Sequence, residues 1–333
     1  MRRKNTSAHQ LDKSLLSTYT NFKSFLDKNL RSKKFVVGVS GGPDSLALAY
    51  LSKLYSSEKK KNFVCIIIDH GVRKSSGKEA EKVKKILQKK GIQSYVFKIN
   101  LSKLKNFHLE ARQLRYDKIA EFCNKKKIKH VLLGHHLDDQ IENFYIRLSR
   151  GSGLTGLSPI KKISKYKKHI FLRPFLSLGK SQLIKISKKY FNFYLKDTSN
   201  FNNKYLRSRV RKLRSFMEKE GFGDVRLLKT LDNFDKAGEA LNFYSETAKK
   251  KFIKKQTNFI SISKKLFHEP YEIVFRCISS FFTEKKDYPP RAKGIARLIA
   301  DLSQLNKKKV TLGGYIFENG LNLVKVKREF RKC

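Results

Sequence analysis

Short apolar runs that alternate with helical patterns constrain the fold of this chain more than any other feature. These runs are rich in β-branched residues and cover residues 33–40, 62–69, 94–99 and 130–134. Between the first two, Leu46, Ala49, Tyr50 and Leu54 recur at the spacing of a helix. A nearly continuous apolar run such as NFVCIIID is typical of a strand buried on both faces of a parallel sheet. The pattern predicts an α/β fold with a doubly wound, mostly parallel sheet whose ligands bind at the carboxyl ends of its strands.

A glycine-rich hexapeptide follows the first of these strands and enters a helix. Its residues are Ser40, Gly41, Gly42, Pro43, Asp44 and Ser45. Glycines allow the backbone to approach an anion, and the first N–H groups of the helix point at that anion. The lysine of a Walker A loop is absent, which argues against γ-phosphate transfer. Because Asp44 would repel a bare phosphate, the loop predicts a phosphate cradle with Mg²⁺ held at Asp44; an ordinary glycine-rich turn is the alternative.

A second glycine pattern, GSGLTG at residues 151–156, matches the dinucleotide fingerprint GxGxxG. It follows a helix that starts near residue 137, whereas the fingerprint requires a preceding strand. We therefore expect a loop here, and a mobile substrate loop is favoured over a dinucleotide site.

The charge balance favours an anionic partner. Lys and Arg number 75 against 28 Asp and Glu, which gives a formal net charge of +47. An A-rich genome would enrich lysine without removing glutamate, so it explains only part of the excess. Nucleic acid is the leading candidate partner. The basic segments at residues 204–214 and 249–255 are candidate RNA contacts.

Several classes of protein are disfavoured by the composition. The four cysteines, Cys65, Cys123, Cys277 and Cys333, have no CxxC spacing, which argues against a zinc ribbon, an iron-sulfur site or a disulfide framework. Apolar runs are too short to span a membrane, and the basic start lacks the apolar segment of a signal peptide. These observations predict a cytoplasmic protein with no membrane partner.

Acidic residues crowd one side of a helix start in GHHLDDQIEN, residues 134–143. Asp138 and Asp139 lie four and three residues before Glu142, so their side chains share a face. They either complement the helix dipole or surround a cation such as a lysine ammonium group. A metal pair at His135 and His136 is disfavoured because adjacent histidines at a helix start point apart and no third ligand has suitable spacing.

Other charged residues are each compatible with two hypotheses about their role. Arg112 and Arg115 lie one turn apart, either on a solvated helix face with local ion pairs or facing a site where negative charge develops. Asp69 ends a strand, where a carboxylate is a loop cap or approaches the ribose of a nucleotide.

The motifs together resemble a known family. In order, they are SGGPDS (40–45), IDHGVR (68–73), EARQLRY (110–116), GHHLDDQIEN (134–143), RGSGLTGL (150–157), RPF (173–175), DTSN (197–200) and YLRSRVR (205–211). This series is similar to that of the tRNA(Ile)-lysidine synthases, which belong to the N-type ATP pyrophosphatases, and the resemblance runs from about residue 33 to 329. Asn143 stands where the family usually has Thr, and Ser158-Pro159-Ile160 replaces a Gly-Met ending.

The resemblance implies an organisation and an activity. It implies an N-terminal ATP pyrophosphatase domain at residues 1–215, a helical linker at 216–258 and a small α+β tRNA-binding domain at 259–333. The expected reaction joins free lysine to the wobble cytidine of the CAU anticodon of tRNA(Ile), with ATP and Mg²⁺. It leaves the oligomeric state open, a homodimer included.

It also implies roles for particular residues. Asp44, Arg115 and His135 would be catalytic, and Asp139 and Glu142 would hold the lysine. ATP would be bound by the residues of the loop and the second strand, namely Ser40, Gly41, Gly42, Pro43, Asp44, Ser45 and Asp69. Arg73 with Lys74 would serve a purpose similar to that of Arg115. The density of positive charge, and not the resemblance, predicts the tRNA contacts, namely Arg207, Arg209, Arg211, Lys250, Lys251, Lys254 and Lys255.

Two other functions are alternatives. One is a different adenylating enzyme with the same loop, such as a tRNA thiolase, which the scattered cysteines disfavour. The other is an RNA-binding protein without enzymatic activity that carries a degenerate loop.

Overall fold

The chain folds into two compact units, Met1–Leu228 and Lys229–Cys333. The computed structural model describes residues 12–71, 75–99, 107–195, 206–283, 290–304 and 307–329. Arg73, Lys74, the DTSN motif and Lys204 lie outside these ranges. The division into three parts at residues 215 and 258 stays a prediction.

The first unit alternates strands and helices. Its described strands are β1 (Lys34–Val39), β2 (Asn62–Asp69), β3 (Ser94–Lys98), β4 (His130–Leu132), β5 (Ile163–Tyr166) and β6 (His169–Leu172). Its described helices are α1 (Lys13–Asn29), α2 (Pro43–Glu58), α3 (Ser76–Lys89), α4 (Phe107–Lys125), α5 (Leu137–Leu148), α6 (Leu154–Leu157), α7 (Lys180–Phe191) and α8 (Leu206–Lys219). A further helix, α9 (Asp224–Phe252), begins in this unit.

The described strands of this unit form one sheet in the order β3-β2-β1-β4-β6-β5. All neighbouring pairs are parallel except β5 with β6. The chain moves outward from β1 to β3 and then returns to place β4 on the other side of β1. This reversal creates a crevice at the carboxyl ends of β1 and β4, where ligands of such sheets bind. The predicted doubly wound, mostly parallel fold is confirmed.

Neighbouring residues of β1 serve opposite faces of the sheet. Phe35 and Val37 pack in the same core cluster as Leu46 of α2, whereas Val36 packs with Ile119 of α4. The three residues of β1 and Leu46 are fully buried. Because side chains alternate across a strand and helices cover both faces, nearly every position of the strand is apolar.

Two features of the first unit were not predicted. One is α1, which begins after Asp12, whose carboxylate accepts a hydrogen bond from the Leu15 N–H (2.9 Å). The other is the hairpin of β5 and β6, at residues 163–172. Its edge strand, ISKY, has alternating intermediate and exposed residues and lacks the apolar run of a central strand.

The second unit is an antiparallel sheet with helices. Its described strands, β7 (Ile253–Lys255), β8 (Ile260–Ser263), β9 (Lys309–Leu312), β10 (Tyr315–Asn319) and β11 (Leu323–Arg328), have the order β7-β8-β11-β10-β9. Helices α10 (Tyr271–Thr283) and α11 (Ala292–Ser303) and a 3₁₀ helix (Lys264–His268) complete it. The sequence LGGYIF (312–317) predicts a turn into a strand, and the structure confirms it, since Gly313 and Gly314 have φ of 57° and 73° between β9 and β10. The lysine-rich pattern of residues 224–255 predicts one long helix, which is wrong at its end, because residues 253–255 pair with β8.

No helix in the described part of the chain has the length and apolar content needed to cross a bilayer.

Candidate active site

The glycine-rich loop lies at the crevice, between the end of β1 and the start of α2. Gly41 has φ of +86°, and a Cβ atom there would lie 2.6 Å from both Leu195 Cδ1 and Val83 Cγ2. Glycine is therefore required by the backbone conformation and by the packing. Pro43 occupies the first turn of α2, where its missing N–H costs nothing.

Hydrogen bonds hold the loop in one shape. Ser45 Oγ accepts a bond from the Ser40 N–H (3.1 Å) and donates one to the Gly42 carbonyl (3.0 Å). The Leu195 N–H donates to the Gly41 carbonyl (2.9 Å). The first N–H groups of α2 have no preceding helical turn to bond, so together with the helix dipole they form a site suited to an anion.

We expect Gly41→Ala to lower the free energy of unfolding by about 1–3 kcal/mol, because it adds strain at positive φ and a steric clash. Gly42→Ala is the matched control. Its Cβ would meet only Ser40 Oγ, at 3.6 Å, so its unfolding free energy should stay within about 0.5 kcal/mol of the wild type. Urea denaturation measures both, and equal losses in the two variants would contradict this description of the loop.

The end of β4 lies against this loop. A Cβ on Gly134 would be 3.2 Å from the Asp44 backbone C and O atoms and 3.3 Å from Ser45 N. Glycine permits this close approach, which brings the His135–His136 segment and the start of α5 beside the start of α2. Two motifs about 90 residues apart in the sequence therefore form one site.

His136 lies among three carboxylates. Its Nε2 atom is 3.5 Å from Asp44 Oδ2 and 3.5 Å from Asp139 Oδ2, and its Nδ1 atom is 3.3 Å from Asp138 Oδ2. Its exposed fraction is 2%. Burial lowers the pKa of His136, but the contacts with Asp138 and Asp44 outweigh burial and raise it to about 10. His136 is thus a buried cation that holds the acids together.

His135 has the opposite electrostatic environment. Burial and the positive charges of Arg173, Arg112 and Arg115 hold the pKa of His135 well below its usual value. Its Nδ1 atom is buried and has no hydrogen-bond partner among the described residues. At neutral pH His135 is therefore an uncharged imidazole beside a cationic one.

Arg112 and Arg115 of α4 differ in how far their side chains are buried. Arg112 is exposed and stacks over the Tyr116 ring, with 5.1 Å from its Cζ atom to the ring centroid. Arg115 has a buried Nε atom with no hydrogen-bond partner within the described residues, and burial lowers its pKa. An unsatisfied buried guanidinium donor marks a position where an anion would be stabilised.

Glu142 is bound by arginines of α8, a contact that sequence reasoning missed. Arg211 donates from Nε to Oε1 and from Nη2 to Oε2 (3.1 Å), and Arg207 Nε lies 3.1 Å from Oε2. The sequence assigned Arg207 and Arg211 to tRNA, whereas the structure brings both to Glu142. Arg211 and Glu142 are 69 residues apart in the sequence, and no local pattern indicates such a pairing.

A parallel contact joins the same two helices at Asp138. Arg214 donates to Asp138 Oδ1, and its Nη2 lies 2.6 Å from Asp224 Oδ1. Asp138 Oδ2 also accepts a bond from the Lys180 N–H (2.9 Å), while Asp139 accepts one from the His136 N–H (3.1 Å). The acids of α5 are thus held by backbone N–H groups at the starts of α5 and α7 and by arginines of α8. This arrangement is compatible with both hypotheses for the cluster, which are complementation of the helix dipole and binding of a cation. Within the described residues no group of three or more His, Cys, Asp or Glu side chains is arranged to hold a metal ion by itself.

Asp69 binds its own loop. Its Oδ1 atom accepts a hydrogen bond from the Gly71 N–H (2.9 Å), and a bond from Ser76 helps to lower its pKa against the effect of burial. These contacts agree with the hypothesis that Asp69 caps the loop that follows β2. A contact with the ribose of ATP stays a prediction.

The GSGLTG segment is anchored to α5. The Ile160 N–H donates to Gln140 Oε1 (2.8 Å), and Arg147 Nη1 donates to the Ser158 carbonyl (3.3 Å). A short helix, α6, precedes both anchors, and the mobility expected of this segment stays a prediction.

The basic residues assigned to RNA in the second unit lie on its surface. Lys250 and Lys251 are exposed at the end of α9, and Lys254 and Lys255 are exposed on β7. Arg209 is exposed on α8 of the first unit.

Comparisons with known proteins identify the family. A family model described as a PP-loop domain matches residues 14–217. The tRNA(Ile)-lysidine synthase of Orientia tsutsugamushi (strain Boryong) is 31% identical over 319 residues, covering 90% of this chain and 70% of that protein. This chain belongs to the tRNA(Ile)-lysidine synthase family. The synthase of Wolbachia pipientis wMel is 29% identical over 309 residues, covering 90% of this chain and 72% of that protein.

Membership of the tRNA(Ile)-lysidine synthase family confirms the resemblance drawn from the motifs. It makes the chain a tRNA-modifying ligase with an ATP-binding PP-loop domain.

A solved structure shares the fold. The U34-tRNA thiolase NcsA from Methanococcus maripaludis with its [4Fe-4S] cluster has a TM-score of 0.57 and 18% identity, covering 68% of this chain and 79% of that chain. This likeness concerns the fold alone. The described cysteines of this synthase family member, Cys65, Cys123 and Cys277, are buried in three different elements.

Proposed function

We propose that this chain joins lysine to C2 of the wobble cytidine in the CAU anticodon of tRNA(Ile), through an adenylated cytidine. The products are lysidine, AMP and pyrophosphate, and the modified tRNA changes its codon and amino-acid specificity from Met to Ile. The partners are ATP, free lysine and tRNA(Ile), and the reaction takes place in the cytoplasm. The observation that carries this proposal is the close approach of the PP-loop to the acidic start of α5, at Gly134 and Asp44.

The residues of the PP-loop fit ATP and Mg²⁺. Ser40 to Ser45 present the α2 N-terminus and its free N–H groups to the phosphates. Asp44 Oδ1 is buried and has no hydrogen-bond partner among the described residues, so this oxygen is available as a ligand for a cation. A Mg²⁺ ion held by Asp44 would neutralise negative charge on the phosphates.

In the first step, O2 of the cytidine attacks the α-phosphorus of ATP, and pyrophosphate leaves with the electrons of the broken P–O bond. Negative charge grows on the phosphate oxygens during this attack. Arg115, whose Nε donor is unsatisfied, would stabilise that charge. Asp44 and the loop orient the phosphate for the attack.

In the second step, the ε-amine of lysine attacks C2, and the C2–O bond to AMP breaks. Asp139 and Glu142 hold the lysine through charge-assisted hydrogen bonds. The attacking amine must be neutral, so a desolvated site that lowers the amine pKa favours the reaction. His135, an uncharged imidazole at neutral pH, is suited to accept the amine proton.

Transfer of labelled lysine tests the function as a whole. The protein, ATP, Mg²⁺ and labelled lysine are incubated with a CAU-anticodon tRNA(Ile), and label in the RNA supports the proposal. Binding of the tRNA without transfer, and without exchange of pyrophosphate into ATP, would instead favour an RNA-binding protein.

Salt should weaken tRNA binding steeply. We expect log K to fall against log salt by about 0.7–0.9 for each phosphate that the protein neutralises. Changing Lys250, Lys251, Lys254 and Lys255 together to Glu should weaken tRNA binding and leave ATP binding unchanged, because all four are exposed on the second unit. Filter binding and ATP titration measure the two affinities. A salt-independent affinity would contradict the expectation, and equal loss of both affinities would indicate misfolding.

A further inference from the structure

The basic residues of α8 have two kinds of environment. Arg211 and Arg207 both contact Glu142, with side chains that are 29% and 53% exposed. Lys212, the next residue after Arg211, is exposed. Adjacent positions of a helix point about 100° apart, so one helix can present cations both to a neighbouring helix and to water.

The contact between Arg211 and Glu142 is a bidentate one. Arg211 uses both Nε and Nη2, and each atom bonds a different oxygen of the carboxylate. Glu142 has an exposed fraction of only 2%. Withdrawing the guanidinium would remove the bidentate partner of a buried carboxylate and leave the single contact from Arg207, which is unfavourable. A phosphate of RNA would have to offset that loss to recruit Arg211.

We infer that Arg211 is a positioning residue of the lysine site, which fixes the Glu142 carboxylate, and that it is not a phosphate contact of the tRNA. This inference rests on the proposed function, since it assumes that Glu142 holds lysine. The fork geometry of Arg fixes the direction in which the carboxylate points. Without Arg211, the contact from Arg207 would be left to orient Glu142, and a less well oriented carboxylate would hold an ammonium group more weakly.

The test compares three variants of the full chain. Arg211→Ala removes the fork and its charge, Arg211→Lys keeps the charge but loses the fork, and Lys212→Ala removes one charge from the adjacent, exposed position. Steady-state kinetics give KM for lysine, KM for ATP and kcat, and salt titration of tRNA affinity gives the number of phosphates neutralised.

Arg211→Ala should raise KM for lysine by about 10–100-fold, by analogy with the loss of affinity when a group that orients a metal ligand is removed. Its salt dependence of tRNA binding and its KM for ATP should match the wild type. Arg211→Lys should restore KM for lysine only in part, and Lys212→Ala should leave KM for lysine unchanged.

Two results would overturn the inference. One is an unchanged KM for lysine in Arg211→Ala with a salt slope reduced by about 0.9, which would make Arg211 a phosphate contact. The other is a lower KM for lysine, which would mean that Arg211 blocks the lysine site. If Arg211→Ala does not fold, Arg211→Lys decides by the same criteria, because a phosphate contact would tolerate lysine.

Lysine-independent adenylation of the tRNA, measured in every protein, separates this inference from the proposed function. Its absence in the wild type would contradict the function. Its presence together with a wild-type KM for lysine in both Arg211 variants would contradict only the role of Arg211.

Discussion

Replacing Asp44 with alanine is expected to reduce adenylation of the tRNA by about 10³-fold, because the site loses the carboxylate that would hold Mg²⁺ and with it the neutralisation of phosphate charge. The fold should survive. Asp44 lies in the first turn of α2, and its Oδ1 atom makes no hydrogen bond among the described residues. His136 keeps its contacts with Asp138 and Asp139. Transfer of label from α-phosphate-labelled ATP to tRNA measures the loss, and circular dichroism checks the fold.

Asp27→Ala is the matched control for Asp44→Ala. Asp27 is a carboxylate of the same unit that binds Tyr55 (2.9 Å) and Lys59 (3.2 Å). Its removal changes the net charge equally and should leave adenylation unchanged. Mg²⁺-dependent activity that survives in Asp44→Ala would show that the PP-loop works without this carboxylate and would refute the assignment.

Glu142→Gln is expected to accumulate adenylated tRNA. The amide keeps the shape of the side chain but carries no charge, so lysine binding weakens while the PP-loop is untouched. Discharge of the adenylated tRNA by lysine should slow by about 10–100-fold at a fixed lysine concentration, the effect of losing a hydrogen bond between charged groups. The variant should also lose stability, because Arg207 and Arg211 lose their shared counter-charge. Quenched-flow assays of label on tRNA, run well below the melting temperature, measure the discharge.

Glu121→Gln is the control for this second step. Glu121 is an exposed acid of α4 that pairs with Lys118 (2.9 Å) and Lys125 (3.0 Å). Exposed pairs contribute little to stability, so this variant should behave as the wild type in both steps. A normal rate of discharge in Glu142→Gln would exclude Glu142 from the lysine site.

The sheet and the PP-loop were predictable because their signals are local. An apolar run between Asn62 and Asp69 indicates a buried parallel strand without knowledge of its neighbours, and the structure places β2 at these same residues. The phosphate loop is likewise defined by glycines within one hexapeptide. The edge strand β5 was not predicted because its sequence, ISKY, contains no apolar run. In the structure its residues alternate between exposed and intermediate burial.

The electrostatics of the site depend on contacts between distant segments, which no local pattern reveals. His135 and His136 are adjacent in the sequence, yet their pKa values shift in opposite directions. Burial and nearby arginines lower the pKa of His135, whereas contacts with carboxylates outweigh burial and raise that of His136. The pairing of Glu142 with Arg211 requires α8 to pack on α5. A charge run such as YLRSRVR predicts an RNA contact until that packing is known.

The order of the two chemical steps offers the most direct measurement. The protein is incubated with α-phosphate-labelled ATP, Mg²⁺ and a tRNA bearing the CAU anticodon, and lysine is omitted. The proposed mechanism predicts label on the tRNA, release of that label as AMP when lysine is added, and no label when the wobble cytidine is changed to uridine. Label carried by lysine instead of RNA would contradict the mechanism, because it would show that the protein activates the amino acid.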